Sequence, residues 1–261
     1  QILFKMAVAE NDSASNNATG VFSDLFSPGP GGVAPTEASL ADRLPILKEI
    51  LQSIDEKEIK VVIASIDKAL ETNNFTRTIG AEHQGFRKEP NLWRPKTNKE
   101  YIDYFSEVLK GATDLFLRLK GSQKQELGII LAGHAGGLLH WIPDEITKTL
   151  GLIASNSHEG KKEVIESITR IMHYRAKSLP PALRTKLDKF KSDLIGTDFS
   201  SKLKRYAGMH LIEDEYDEDG NTTDVREKII AGIAQNSLKT PNLLLPELVW
   251  LVTPQAENGY E

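Results

Sequence analysis

The sequence predicts an all-α protein, and within that class a HEAT-like α-α superhelix, a degenerate α-solenoid. Three observations support this prediction. Apolar residues recur every three or four positions along most of the 261 residues, which is the period of an amphipathic helix. No segment shows convincingly the two-residue alternation of a half-buried strand. Helix follows helix at spacings typical of helical pairs without a strict internal repeat, which favours a solenoid over a closed bundle.

The predicted helices follow one another along the chain, each with one apolar face expected in the core. The faces are Ile59, Val62, Ile63, Ile66 and Leu70; Tyr101, Phe105, Val108, Ala112, Leu115 and Leu119; Leu127, Ile130, Leu131, His134, Leu138 and Trp141; Ile146, Leu150 and Ile153; Val164, Ile165, Ile168 and Met172; Leu183, Leu187, Phe190 and Leu194; and Val225, Ile229, Ile230 and Ile233. A last segment runs from Leu243 to Leu251. Together these faces predict a core that extends along most of the chain.

Local signals mark where several helices begin. Thr97–Glu100 is a capping box, in which the hydroxyl and the carboxylate satisfy reciprocal backbone donors, and Asp224–Glu227 is a variant of it. Thr240–Pro241 places a cap before a proline at the first helical position, where its missing N–H costs nothing. Pro45 is expected in the first turn of a helix that starts near Leu44, or else to kink a longer helix.

Two segments interrupt the helical period. Ser27–Gly32 is rich in proline and glycine and is expected to be a turn or a loose connection. Thr76–Pro95 carries two glycines and two prolines, and loops of about this length are often functional or heavily packed. Phe86 and Trp93 are expected to anchor this long loop against neighbouring helices.

The predicted domain organisation is that of a segment of a longer protein. The chain opens in an apolar run without an initiator Met and stops where a new element is about to begin. Residues 1–35 are interpreted as the end of a preceding helical element plus a connection. Residues 36–261 are interpreted as a helical-repeat domain that continues beyond the C-terminus.

Composition narrows the functional classes. Hydrophobic residues make up 39% of the chain and charged residues 26%, which is typical of a soluble globular protein. The net charge of -5 argues against a chain built as a whole to bind nucleic acid. With no cysteine, disulfides, thiolate catalysis and Cys-based zinc sites are excluded. No apolar run approaches the roughly 20 residues of a membrane span, and no signal peptide is recognisable, so a cytoplasmic location is expected.

The glycine-rich run Ala132–Gly137 is not a phosphate-binding loop, because it lacks the Lys-Ser/Thr pair and follows no strand. Its glycines are expected to allow close approach of neighbouring helices or to break the helix before Pro143. His134 and His140 are six residues apart, which is a poor helical spacing for shared metal ligation. His134 is therefore interpreted as a hydrogen-bonded core histidine.

The acidic run Glu213–Gly220 resembles a calcium loop only in part. With Gly220 at the sixth position, the twelfth position is Arg226, where a bidentate Glu is required. The run is interpreted as a solvated acidic loop between helices, with weak adventitious cation binding left open.

The stretch Lys161–Arg205 contains twelve cationic residues against five acidic ones. Such asymmetry suggests a surface for nucleic acid or an acidic partner. The alternative, which we favour, is that these residues form solvated helix faces, partly neutralised by the acidic run that follows.

Several short segments resemble a helical region of large multidomain bacterial proteins that pair a STAND-type NTPase with helical repeats, many of them linked to phage defence. The segments are Asn16–Phe26, Gly32–Arg43, Gly80–Gly85, Trp93–Thr97 and Leu248–Leu251. One departure is Gly31–Ala34, where a Gly-Thr pair is expected. The resemblance implies a regulatory or sensing solenoid, with nucleotide hydrolysis and the effector in other domains.

The leading functional hypothesis is a non-catalytic scaffold that packs against sister domains and binds a protein partner, without a cofactor or a metal. The candidate partner-binding residues are Glu82, His83, Arg87, Arg94, Arg170, Arg175 and Arg184. Two alternatives stay open. One is an enzyme whose site lies in the loop 80–95, with Glu82 and His83 as an acid–base pair; the other is nucleic-acid binding by the basic stretch 161–205.

Overall fold

A computed structural model describes residues 1–10, 17–29, 34–75, 91–196, 198–207, 214–216, 222–224 and 226–252. The described part is mainly helical, which confirms the predicted all-α class. The chain divides into two compact units, Gln1–Ile153 and Ala154–Glu261. The division falls inside one helix, and the predicted organisation into residues 1–35 and 36–261 stays a prediction.

In its described residues, the first unit contains six helices and most of a seventh. Their bounds are α1 Ile2–Val8, α2 Ala18–Asp24, α3 Leu40–Ile50, α4 Glu56–Ala69, α5 Asn98–Arg118, α6 Gly121–Leu138 and α7 Pro143–Asn156, the last of which runs across the division. Helix α4 packs against α1, α2, α3, α5 and α6, and α3 also packs against α5. The α4 residues predicted to be apolar core are all buried, because they form one continuous stripe along the helix.

Polar side chains fix the helix contacts of this unit. The Tyr104 hydroxyl donates to the Phe26 carbonyl at 2.7 Å, and Arg118 donates to the Leu51 carbonyl at 2.6 Å. The hydroxyls of Thr113 and Thr149 lie 3.1 Å apart. A buried polar group that keeps a hydrogen bond costs little, and it also constrains which surfaces can meet.

The second unit contains shorter and less deeply packed elements. Their bounds are α8 His158–Arg175, a 3₁₀ turn Ala176–Ser178, α9 Pro181–Ile195, α10 Phe199–Ala207, β1 Asp214–Tyr216, β2 Thr222–Asp224, α11 Arg226–Lys239, α12 Pro241–Leu244, a second 3₁₀ turn Leu245–Glu247 and α13 Leu248–Leu251. Helix α8 packs against α9, and α10 packs against α9, α11 and α12.

Fewer of the predicted core residues are buried toward the C-terminus. The four predicted core residues of α8 are buried, but only Leu187 of the α9 set is. Ile229, Ile230 and Ile233 are half-buried, and no residue of 226–252 whose side chain is described is buried. Helical periodicity therefore predicted these helices correctly. The expectation that their apolar faces lie in a core is wrong for most of these residues.

Two local predictions about helix boundaries have clear outcomes. The Glu100 carboxylate accepts a hydrogen bond from the Thr97 N–H at 3.2 Å, as the capping box predicted. The prediction that Pro45 lies in a first turn is wrong, because α3 begins at Leu40, where Ser39 and Asp42 cap each other. Pro45 therefore sits inside a longer helix and cannot donate to the Ala41 carbonyl.

A short hairpin replaces part of the predicted acidic loop. Residues Asp214–Tyr216 pair antiparallel with Thr222–Asp224, in the register Glu215 to Thr223. The predicted loop between helices thus contains a short strand at Asp214–Tyr216, and Asp224, predicted to begin a capping box, ends the second strand. β-branched threonines favour extended backbone, and a three-residue strand is too short to show alternation in the sequence. Residues 217–221 lie outside the described part of the chain.

The glycine-rich run lies within α6, which continues through it to Leu138. A Cβ at Gly137 would collide with the Thr72 side chain, whereas a Cβ at Gly133 would meet nothing within 4 Å. The close approach of the Thr72 side chain thus explains why position 137 is a glycine, but no neighbour explains the glycine at position 133. No helix among the described residues is long and apolar enough to cross a membrane.

Candidate functional site

Arg94 is the one loop candidate that the structure describes, and it lines a surface pocket in the first unit. The pocket has a volume of about 690 Å³, and its described lining is Glu37, Asn91, Leu92, Trp93, Arg94 and Lys96. The side chains of Arg94 and Lys96 are exposed, and Trp93 is half-buried. We refer to these six residues as the tryptophan pocket.

Backbone hydrogen bonds position the pocket wall. The Trp93 N–H donates to the Thr36 carbonyl at 3.2 Å, and the Asn91 N–H donates to the Glu37 carboxylate. Further along, the Lys96 N–H donates to Glu100 at the start of α5, at 2.9 Å. Residues 91–97 are thus attached at one end to the segment before α3 and at the other end to α5.

A buried arginine lies behind the tryptophan ring. Arg43 is only 4% exposed, and its guanidinium carbon lies 5.6 Å from the centroid of the Trp93 ring, a cation–π distance. Its Nη1 donates to the carbonyls of Leu25 at 2.8 Å and Ser27 at 2.6 Å, and its Nε donates to the Ser39 carbonyl at 3.3 Å. Arg43 thereby holds residues 25–27 against α3.

The charge of Arg43 is incompletely compensated. Its Nη2 is buried and has no hydrogen-bond partner, and among the described residues no carboxylate forms an ion pair with it. Burial lowers the pKa of the Arg43 guanidinium. Buried charges are normally paired, so this Nη2 is an unusual feature of the first unit.

Sequence reasoning missed Arg43, although a signal was present. Arg43 shares one helical face with Leu40, Leu47 and Ile50, and all four are buried. The spacing of i, i+3, i+7 and i+10 is that of an apolar stripe. A cation within such a stripe predicts a buried, hydrogen-bonded charge.

The other loop candidates, Glu82, His83 and Arg87, lie outside the described residues. The enzyme hypothesis for the loop 80–95 therefore stays a prediction. Arg94 contributes a charge to the tryptophan pocket and has further interactions of its own.

The remaining candidates lie on α8 and α9 of the second unit. Arg170 is exposed and pairs with Glu163 at 3.4 Å; Arg175 ends α8 and is exposed, and Arg184 is half-buried. Two other cations of the basic stretch are buried, Lys191 and Arg205, each 5% exposed. The interpretation of this stretch as solvated helix faces is therefore wrong for Lys191 and Arg205.

An aspartate–histidine pair joins α4 to α6. The His134 Nε2 lies 2.7 Å from an Asp67 carboxylate oxygen, so the predicted hydrogen bond is confirmed. The His134 side chain is 19% exposed and that of Asp67 47%, which places the pair at the edge of the core. The hydrogen bond from His134 is the main cause that lowers the Asp67 pKa below its ordinary value of 3.8, and burial partly opposes it.

We expect the Asp67 carboxylate to contribute to stability in a pH-dependent way. Because its folded pKa lies below the unfolded one, its contribution is present above about pH 4 and is lost as pH falls through the folded pKa. In Asp67→Asn this acid-dependent contribution should disappear, with a loss at neutral pH of less than about 1 kcal/mol, since the carboxylate is half exposed. Urea unfolding at a series of pH values measures it.

Asp103→Asn is the matched control for that measurement, because Asp103 lies on a neighbouring helix and, within the described part of the chain, forms an ion pair with the exposed Lys99. A stability profile of Asp67→Asn that stays parallel to that of the parent protein down to acid pH would contradict the assignment.

Comparison of the chain with protein-family models, with curated proteins and with solved structures found no match. The chemistry of the tryptophan pocket and of Arg43 therefore carries the functional argument.

Proposed function

We propose that this chain is a non-catalytic helical scaffold that binds an acidic segment of a protein partner at the tryptophan pocket. The observation that carries the proposal is the exposed cation pair Arg94 and Lys96, set beside the half-buried ring of Trp93. An aromatic ring next to exposed cations provides apolar contact area together with attraction for carboxylates. Arginine and tryptophan are also the residue types most enriched at binding hot spots.

The packing of the first unit supports the HEAT-like part of the proposal. Helix α4 contacts α2 and α6, and α3 contacts α5, so alternate helices of the chain lie side by side. Stacked helical pairs produce this pattern, since each helix meets its equivalent in the next pair. Stacked pairs also expose large surfaces, which suits interaction proteins.

Charge favours a protein partner over nucleic acid. The Glu37 carboxylate forms part of the pocket wall, where it would repel a phosphate backbone. An acidic peptide can place single carboxylates at the two cations and keep its backbone away from Glu37.

We further propose that the parent protein is a STAND-type NTPase in which this region packs against sister domains and senses the partner. The support is the resemblance of the five segments named above. The sequence of the parent gene tests it: a phosphate-binding loop, Gly-x-x-x-x-Gly-Lys-Ser/Thr, outside these residues is the expected result. A parent gene that encodes no nucleotide-binding domain would contradict it.

The pocket can be tested with a fluorescein-labelled octaglutamate peptide. We expect saturable binding by fluorescence anisotropy, weakened at least about tenfold in Arg94→Glu/Lys96→Glu, a loss equivalent to about 1.4 kcal/mol. Lys99→Glu is the control, since Lys99 lies nearby on α5 outside the pocket lining. Equal affinity of the pocket variant and the control would overturn the proposed site.

Direct binding of a single-stranded oligothymidylate tests the alternative that the chain binds nucleic acid. Tighter binding of this oligonucleotide, with a steep dependence on salt and a loss in Arg170→Ala/Arg175→Ala/Arg184→Ala, would favour the nucleic-acid alternative instead. We expect weak binding that these three substitutions on α8 and α9 do not change.

A further inference from the structure

We propose that the tryptophan pocket has an inner subsite, in which the Arg43 Nη2 binds one carboxylate of the acidic segment after the Trp93 ring moves aside. This inference rests on the proposed function, since it names the anchor of the same ligand. The observations behind it are a guanidinium that is 4% exposed, a buried Nη2 without a hydrogen-bond partner, and a pocket-lining ring that covers the guanidinium at 5.6 Å.

The hydrogen bonds that Arg43 makes inside the protein use two of its three side-chain nitrogens and leave Nη2 without an acceptor. Carbonyl oxygens of Leu25, Ser27 and Ser39 accept from Nη1 and Nε, so these two nitrogens are satisfied. Carbonyls are neutral, and they compensate a cation less than a carboxylate does. A guanidinium buried with neutral partners and one unused nitrogen therefore has both the charge and the donor to bind an oxyanion.

No acidic group of the described surroundings fulfils that role. Asp42 is exposed, and its carboxylate accepts from the N–H and the hydroxyl of Ser39. The Tyr104 hydroxyl donates a hydrogen bond to the Phe26 carbonyl. Burial raises the pKa of Tyr104 far above its ordinary value, so this phenol stays neutral. The nearby Tyr101 also has a raised pKa because of burial. An anion at Nη2 would thus come from outside these groups.

Trp93 is placed to control access. Its ring lines the pocket, where Arg94 and Lys96 attract an acidic chain, and it is also the aromatic face over Arg43. The ring is only half-buried, so a change of its side-chain rotamer requires little repacking. A carboxylate that takes the place of the ring beside the guanidinium exchanges a cation–π contact for a charge-assisted hydrogen bond, which is the stronger interaction in a buried site.

Nitrogen-15 NMR of the arginine side chains in the full chain tests the subsite directly. During titration with octaglutamate, we expect the Arg43 guanidinium signals to shift and their exchange with water to slow, together with a shift of the Trp93 indole N–H. Arg43→Lys assigns the signals and should bind the peptide about tenfold more weakly, because lysine lacks the planar fork.

The outcomes separate this inference from the proposed function. Peptide binding that depends on Arg94 and Lys96 but leaves the Arg43 signals unmoved at saturation would overturn the inner subsite and leave the pocket intact. Absence of any peptide binding would overturn both. If Arg43→Lys fails to fold, the Arg43 signals can be assigned in the parent protein through their proximity to the Trp93 ring, whose centroid lies 5.6 Å from the guanidinium carbon.

Trp93→Ala provides a second test with small probes. With the ring removed, acetate should reach Arg43 and shift its guanidinium signals at concentrations that leave the parent protein unchanged. A response to inorganic phosphate without a response to acetate would overturn the carboxylate assignment. A lack of response to either anion would overturn the subsite.

Discussion

Leu115→Ala should lower the free energy of unfolding of the first unit by about 2–5 kcal/mol, the range for leucine truncation in a packed core. Leu115 lies on α5 and is 1% exposed. Its removal takes apolar surface out of the helix contacts that α5 makes with α3, α4 and α6, and it leaves a cavity that the surrounding side chains can close only in part. Urea unfolding followed by circular dichroism measures the change.

Leu117→Ala is the matched control, since it makes the same chemical change two residues away on the same helix. Leu117 is 49% exposed, so we expect a loss below about 1 kcal/mol. Because the chain has two compact units, unfolding can proceed in two steps. The two variants are compared in the step in which the first unit unfolds. Similar losses for the two variants would contradict the packing of α5.

Arg43→Met should destabilise the first unit by roughly 2–4 kcal/mol, even though methionine matches much of the arginine volume. The substitution removes the donors of the Leu25 and Ser27 carbonyls. Unsatisfied buried carbonyls carry their full desolvation cost, which outweighs the relief from burying one charge fewer. Residues 25–27 should also become more susceptible to limited proteolysis.

Lys48→Met, on the same helix, is the control for that variant. The Lys48 ammonium pairs with Glu107 at 2.6 Å, but the two side chains are 50% and 44% exposed. Such surface pairs contribute between about 0 and 1 kcal/mol, so stability should change little. Arg43→Met with stability equal to that of Lys48→Met would show that the buried hydrogen bonds contribute little.

Periodicity alone predicted most of the helices, because an amphipathic helix is a local pattern. The predicted apolar positions of α5 lie three or four residues apart, those of α4 follow the same period apart from the adjacent pair Val62 and Ile63, and all of them are buried. Capping at Thr97 was equally readable, since both partners lie within one turn. A start of α3 near Leu44 was wrong, because the capping box formed by Ser39 and Asp42 begins the helix at Leu40 and Pro45 lies inside it.

The candidate site was only partly predictable. Arg94 was identified from its position in the long loop, but Glu37 joins the pocket only through hydrogen bonds between Thr36 and Glu37 and the distant residues 91–93. Arg43 and Trp93 are 50 residues apart in the sequence, as their numbers show, and no local pattern links them. The pocket therefore required the fold before its chemistry could be described.

By itself, the sequence determined the helical class, the apolar stripes from α4 to α8 and the cap at Thr97, since all of these depend on residues within a turn or two of one another. Tertiary structure alone decided which stripes are covered, as the exposed residues of α11–α13 illustrate. It also decided that a cation at position 43 is buried beneath a tryptophan. The physical reason is that desolvation depends on which distant surfaces meet, and helical periodicity carries no information on that.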